Sequence, residues 1–305
     1  MKVSVAMATY NGMKYIEKQL DSIRNQYIMP DEVIICDDAS TDGTADFINE
    51  YIEKYSLFGW KLFKNEENLG FKKNFLKAIS LTQGDYVFLC DQDDIWKTEK
   101  IEKVLSVMEE NKDILSLCSS FDFIDENDNP LELLNDGNSF NHGLIEEKNV
   151  KGKLSKISFK TVLHSNIAPG CATVIRKELK EKFSENSRSL IAHDWELNLI
   201  AASENGLYFL NESLILYRIH SSNTLGLDSA SRDRLGIARE KLEAGDALLA
   251  YGDFDAFYTM QKKREEALKN KKILSALGLF FGNLQYFKNY SLKERMGDIL
   301  FTLKK

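Results

Sequence analysis

The 305-residue sequence holds only 3 prolines, which argues against a long proline-rich linker, and no segment is low in complexity or internally repeated. It has no run of the ~18 apolar residues that a membrane-crossing helix needs. The N-terminus offers one lysine and a short apolar run before Thr9-Tyr10-Asn11-Gly12. That pattern predicts a strand and a turn rather than a secretory signal. Cysteine is sparse: Cys36, Cys90, Cys118 and Cys171 are scattered, with no metal or redox spacing. Reduced, buried thiols in a cytosolic protein are the expectation. Basic charge is short as well. The net charge of -7 does not suit a nucleic-acid binder. The balance is uneven, since residues 261–305 carry 11 Lys and Arg against 4 Asp and Glu. That local +7 leaves about -14 on the preceding 260 residues and suggests an anionic surface, such as a membrane leaflet, as a partner of the tail.

What is present is a globular composition, 43% apolar and 29% charged. Apolar runs predict strands at Val3–Ala8, Glu32–Cys36, Trp60–Phe63 and from Tyr86, with helices between them: one carrying Ile16, Leu20 and Ile23, one over Ala45–Tyr55, and one opened by Asn68-Leu69-Gly70 and running through Ala78. Strands alternating with helices at this interval mean βαβ units and a parallel sheet. Further on, the reading is a helix from Ile95-Trp96 to about Asn111, a strand over Leu115–Phe123, and a polar, irregular stretch at 125–160. A strand over Ala172–Ile175 and a helix from His193 through Ala202 follow. Short strands are expected at Leu207–Leu210 and Leu214–Tyr217, and helices from Ala230 onward.

The chain is organised around Tyr86-Val87-Phe88-Leu89-Cys90-Asp91-Gln92-Asp93-Asp94. Three carboxylates within four positions, at the end of a buried strand, should face a cleft. Like charges this close repel unless a cation joins them, and oxygen ligands suit magnesium or manganese; an acidic solvated turn is the alternative. Asp37-Asp38 also end a strand, either to accept the imide N–H of a pyrimidine base or to cap a turn. Asn68-x-Gly70-x-x-x-Asn74 brings a helix N-terminus toward a phosphate, or merely caps it. In His193-Asp194-Trp195 the aspartate suits a general base and the tryptophan a sugar platform, against an N-cap before a core residue. His220, after Tyr217-Arg218, either completes a metal site or is an ordinary histidine. His142 and His164 show no pattern.

Taken in order, Thr9-Tyr10-Asn11-Gly12, Asp37 to Gly43, Asn68-Leu69-Gly70, Asp91-Gln92-Asp93-Asp94 and His193-Asp194-Trp195 resemble the family 2 glycosyltransferases, of GT-A fold. The resemblance covers roughly residues 1–225. The Asp-Gln-Asp-Asp-Ile-Trp form, Gly170-Cys171, and Tyr217-Arg218-x-His220-x-x-Asn223 look most like the rhamnosyltransferase-type branch of bacterial surface-polysaccharide enzymes. The resemblance implies a Rossmann-like, mostly parallel α/β sheet flanked by helices over 1–225, with a helical C-terminal extension at 226–305. It implies that Thr9, Tyr10, Asn11, Asp37, Asp38, Asn68, Gly70, Asn74, Asp91 and Gln92 meet the donor nucleotide. Asp93 and His220 would bind Mn2+ or Mg2+, and Asp194 would be the catalytic base. Gly170, Cys171, His193 and Trp195 would contact acceptor or sugar. Many members have Glu-Asp where this chain has His193-Asp194, which leaves the role of His193 open. The implied partners are a dTDP- or UDP-linked sugar and a glycan or lipid-linked acceptor. The implied activity is inverting transfer of the hexosyltransferase type. Two rival readings remain at this point: a nucleotide-sugar-binding protein without turnover, and a phosphotransferase or phosphatase using Asp91 as nucleophile. In the extension, Leu277, Phe280, Phe281, Leu284 and Phe287 with neighbouring lysines suggest one helix lying on the inner membrane leaflet, or one packed on the domain.

Overall fold

The computed structural model describes residues 1–132, 139–220 and 233–303. Asn223, and the extension before residue 233, lie outside the described residues. The chain divides into two compact units, Met1–Asn223 and Thr224–Lys305.

The first unit opens with β1 (Val3–Thr9), α1 (Ile16–Arg24), β2 (Glu32–Asp37), α2 (Thr44–Lys54), β3 (Trp60–Lys64), α3 (Phe71–Leu81) and β4 (Tyr86–Cys90). It continues through β5 (Ile95–Trp96), α4 (Lys100–Glu110), β6 (Ser116–Ile124), β7 (Pro130–Leu131), β8 (Ser139–Phe140), β9 (Ile145–Glu146), β10 (Leu154–Lys156) and α5 (Phe159–His164). It ends with β11 (Thr173–Arg176), α6 (Lys177–Asn186), α7 (His193–Ser203) and β12 (Leu207–Arg218). The main sheet runs β10-β12-β6-β11-β4-β1-β2-β3, with β5 on β12 and β7 on β6. β3, β2, β1 and β4 are parallel, whereas β11 runs antiparallel to both β4 and β6. Strands covered on both faces must be apolar throughout, and Val5, Ala6, Met7, Val87, Phe88, Leu89 and Cys90 are fully buried. The chain winds outward from β1 to β3, then crosses back to β4 on the other side of β1. The loops after β1, β2 and β4 therefore gather at the carboxyl ends of the strands beside that reversal, the place where open α/β sheets bind ligands.

Two local expectations are corrected, and one helix, α6, went unanticipated. Ile95-Trp96 is a strand, paired antiparallel with Ile215 and Leu216, and the helix starts later, at Lys100. Leu207–Arg218 is one strand with irregularities between Leu210 and Leu216, because pairing with β6 resumes after each of them. α6 has only Leu179 and Phe183 facing inward, so its sequence showed almost no apolar period.

The second unit is helical: α8 (Arg234–Leu248), α9 (Asp255–Lys269), α10 (Ile273–Gly282), α11 (Leu284–Asn289) and α12 (Leu292–Leu303). The single helix expected through Leu277 and Phe287 is two, because Asn283 breaks it and its side chain caps α11 by accepting from the Tyr286 N–H at 3.0 Å. Asp298 is buried among three donors. Arg264 Nε donates at 2.6 Å, Arg234 at 2.9 Å, and the Tyr286 hydroxyl completes the set. Removing one partner from such a buried charge costs about 3–5 kcal/mol. No helix among the described residues is long and apolar enough to cross a membrane.

Candidate active site

The loops after β1 and β2 are wired to each other. Asp37 Oδ2 accepts from Thr9 Oγ1 at 2.8 Å and Ser40 Oγ at 2.6 Å, while its Oδ1 accepts from the Ser40 N–H at 2.9 Å. Asn11 donates its backbone N–H to Ser40 Oγ at 2.8 Å and accepts from the Thr41 N–H at 2.9 Å. Two non-glycine residues here adopt left-handed backbone, Asn11 at φ 48° and Ala39 at φ 61°, a conformation proteins hold mostly where surrounding bonds enforce it. Asp38 secures the next turn: Oδ1 accepts from Asn65 Nδ2 at 2.7 Å and the Leu69 N–H at 2.8 Å, and Oδ2 from the Gly70 N–H at 2.9 Å. Gly70, at φ 80° and ψ 154°, takes a conformation open to glycine alone. Asn68 Oδ1 also accepts from the Gly70 N–H. Asn74 points inward, donating to the Cys36 carbonyl at 2.8 Å. Tyr10 is half exposed, and the Gln92 amide clamps its backbone by accepting from Tyr10 N at 2.8 Å and donating to Tyr10 O at 3.0 Å.

The loop after β4 is different. Asp93 Oδ2 lies 2.9 Å from His220 Nε2, and the His220 ring lies against Tyr15. Asp94 is buried; its Oδ1 accepts from the Arg218 N–H at 3.0 Å, and its Oδ2, beside the Cys171 thiol, has no N–H or O–H donor among the described residues. Burial, then repulsion from Asp93, pushes Asp94 up to about 7. Asp91 is pushed well above the carboxylate range by burial, then by Asp94, Asp93 and Asp194. Ligand atoms of Asp91, Asp94 and Cys171 all lie within 4.8 Å of one another. Three mutually repelling acids, one with an oxygen lacking any N–H or O–H donor, plus an imidazole, form a donor set that fits a divalent cation. Arg218 ties the end of β12 to this loop, donating from Nε to the Asp93 carbonyl at 2.7 Å.

Asp194 begins α7. Its Oδ2 accepts from Asn166 Nδ2 at 2.9 Å and its Oδ1 from the Trp195 N–H at 2.8 Å. Burial raises it to about 6. Asn166 is itself fixed, since its Oδ1 accepts from Asn198 Nδ2 at 3.0 Å, and Asn198 Oδ1 accepts from Ser116 Oγ at 2.8 Å. His193 stacks on Phe75 with ring centroids 3.8 Å apart, and both its nitrogens are buried without a hydrogen-bond partner among the described residues. Burial lowers it to about 3, so it is neutral at working pH. A Cβ on Gly170 would sit 2.8 Å from His193 Nε2; only glycine leaves the imidazole its place.

The structure thus brings Asp91, Asp93, Asp94, Cys171 and His220 together, and sets Gly170 and His193 beside Asp194. Two residues expected to touch acceptor or sugar are packed inside instead. Cys171 is fully buried, and Trp195, 6% exposed, donates its indole N–H to the Val162 carbonyl at 2.8 Å, as a core tryptophan does. Sequence reasoning missed Asn166, Asn198 and Lys100. Lys100 is a fully buried cation; its ammonium donates to the Cys171 carbonyl at 2.7 Å and lies 3.5 Å from the centre of the Trp96 ring. Burial lowers it to about 8. None of the three belongs to a motif, but Lys100 stands at helical spacing with Ile101, Val104, Leu105 and Met108 on the buried face of α4, and a lysine on that apolar face was the available signal.

Residues 4–183 match the family described as glycosyl transferase family 2. A dTDP-rhamnosyl transferase, RfbG, of Shigella flexneri is 29% identical over 254 residues, 77% of this chain and 80% of the relative. Among solved structures, S. aureus TarS in complex with UDP-GlcNAc has a TM-score of 0.58 at 19% identity, covering 99% of this chain and 80% of that one. The mannosyltransferase PcManGT from Pyrobaculum calidifontis, in complex with GDP-Man and Mn2+, has a TM-score of 0.54 at 15% identity, covering 99% and 86%. The fold is that of the GT-A glycosyltransferases. The chain belongs to glycosyl transferase family 2 and is a glycosyltransferase.

Proposed function

We propose that the chain is a metal-dependent, inverting glycosyltransferase. It moves a sugar, with rhamnose the first candidate, from a dTDP- or UDP-linked donor to a hydroxyl of a glycan or lipid-linked acceptor in polysaccharide biosynthesis. The carrying observation is that, in a chain matching glycosyl transferase family 2 over residues 4–183, ligand atoms of Asp91, Asp94 and Cys171 lie within 4.8 Å of one another at the end of β4. That acid cluster suits a diphosphate-bound cation, and Asp194, buried at the start of α7, supplies the base. When bound, a manganese or magnesium ion held by Asp93 and His220 supplies Lewis-acid neutralisation of the leaving diphosphate.

The chain's own residues do the rest. Asp194 is ionised at neutral pH yet more basic than an ordinary carboxylate, as a general base should be. It takes the proton of the acceptor hydroxyl as that oxygen attacks the anomeric carbon. The bond to the diphosphate breaks on the opposite face, so configuration inverts and no covalent nucleophile is needed. Asn166 holds Asp194 in one orientation. Thr9, Tyr10, Asn11 and Asp38 line the nucleotide side; Asp38 Oδ2 carries a hydrogen bond from the Gly70 N–H and keeps acceptor capacity for a base imide N–H. Asp91 faces the ribose, and Gly170 and His193 the acceptor side. The likeness to the dTDP-rhamnosyl transferase supports the dTDP-rhamnose choice. Residues 1–225 carry catalysis; the helical extension meets the acceptor's surroundings, placing the enzyme in the cytoplasm and peripherally on the inner face of the membrane. The test is transfer from dTDP-rhamnose and from UDP-sugars with manganese, the product anomer read by NMR. Transfer with inversion supports the reading; a retained anomeric configuration or transfer undiminished in EDTA overturns it.

A further inference from the structure

The helical unit carries an apolar crest that no described residue of the unit covers. Leu274 is 81% and Phe281 75% exposed; seven residues apart on α10, they share one face. On α11, Leu284 and Phe287 are 68% and 43% exposed. The Arg295 guanidinium lies 5.2 Å from the Phe280 ring centre and 4.2 Å from that of Phe287, so the apolar sets of the two helices meet at one cation. Beside the crest, between α9 and α10, runs a groove of about 400 Å³. Ser275, Gly278 and Gly282 line it, and Lys263 and Lys272 project into it against one acid, Glu266. A Cβ on Gly278 or Gly282 would meet nothing within 4 Å, so this side of α10 is open. Exposed Lys271 and Lys288 stand at the two ends of the crest.

We propose that this face is the surface by which the enzyme lies on an anionic bilayer, with Leu274, Phe281, Leu284 and Phe287 entering the acyl boundary and Lys263 and Lys272 meeting lipid phosphates. The inference deepens the peripheral-membrane part of the reading above. Charge complementarity selects the occupant. A second copy docked by this same face would bury Lys263 and Lys272 with only Glu266 of the groove lining to answer them, whereas anionic headgroups can answer each lysine. An apolar face rimmed by lysine, with no helix among the described residues able to span, is the pattern of a helix lying in the interface. The exposed stripe of α12, Leu292, Met296, Leu300 and Leu303, has the spacing of helix pairing. Self-association is therefore measured separately.

The experiment is flotation of the full chain with vesicles of phosphatidylcholine alone and of phosphatidylcholine mixed with phosphatidylglycerol. The wild type should float only with the mixed vesicles, less so as salt rises. Lys263→Gln with Lys272→Gln should weaken binding by about fivefold per lysine and flatten the salt dependence. Leu274→Ser with Phe281→Ser should weaken it by about tenfold or more at every salt concentration. Circular dichroism and nucleotide binding check that each variant is folded. The proposal is overturned if the wild type ignores mixed vesicles or if the crest variant floats like wild type. It is overturned equally if sedimentation shows the crest residues holding two copies together while vesicles stay unbound. Transfer to a soluble acceptor is read in parallel: activity without vesicle binding removes the surface but not the transferase reading, and vesicle binding without activity does the reverse.

Discussion

Aspartates mark two loops at the carboxyl ends of the sheet, after β2 and after β4, and they live in opposite conditions. Asp37 and Asp38 are buried and each accepts three hydrogen bonds from the protein. Asp91 and Asp94 are crowded together after β4 and are pushed upward by burial and by one another. The first pair holds the backbone in shape. In the second, ligand atoms of Asp91, Asp94 and Cys171 lie within 4.8 Å of one another, close enough to share a cation. Carboxylates in similar places at strand ends therefore differ in surroundings, and the distinguishing mark is how far the protein itself satisfies them.

The largest effect expected belongs to the base. Asp194→Asn should lower kcat by about 10²–10⁴-fold and leave donor affinity, measured calorimetrically, within about twofold; normal transfer would remove Asp194 from the mechanism. Next, one substitution should change sign between the two aspartate pairs. Asp38→Asn sets an amide N–H2 against donors it had accepted and should cost about 1–3 kcal/mol in urea unfolding. Asp94→Asn in EDTA at pH 8 should instead gain about 1–3 kcal/mol. The folded-state value of about 7 lies above the ordinary 3.8, so the fold favours the protonated acid. Stability then falls as pH rises from about 4 through 7, and the gain from Asn should vanish toward pH 4. Equal signs for both variants would break the comparison.

A smaller effect tests the support of the base. For the wild type, kcat/KM should fall as pH drops through about 6, where Asp194 takes up a proton. His193 adds no limb, being neutral down to about 3. The Asn166 hydrogen bond lowers Asp194, so Asn166→Ala should move the acid limb upward, by up to about one unit. An unmoved limb would make Asn166 a merely structural residue. The smallest effect is at Gly70→Ala, which should cost about 1 kcal/mol of stability for its positive φ.

Much of the parallel half was legible because β1, β2 and β4 are buried runs bounded by turn residues. Where pairing partners are distant, the sequence misled. Ile95-Trp96 has no strand signal until Ile215 and Leu216 lie beside it. Asn211-Glu212 looks like a break, yet β12 passes through it. In the site, Asp37 had two open readings, and the structure adds that it accepts three hydrogen bonds within its own turn and from Thr9. The contact between Asp93 and His220 joins residues 127 positions apart; the residues left it one of two readings for His220, and the family resemblance favoured it. The chain from Ser116 through Asn198 and Asn166 to Asp194 was illegible, since single polar residues on separate elements carry no period.

The most direct test is calorimetric titration of the wild type with dTDP, UDP and GDP, each with manganese and with EDTA. The account predicts that dTDP or UDP binds with manganese and at least tenfold more weakly in EDTA, because Asp91 and Asp94 repel a diphosphate unless a cation intervenes. Nucleotide binding of equal strength in EDTA, or no nucleotide binding under either condition, would contradict it.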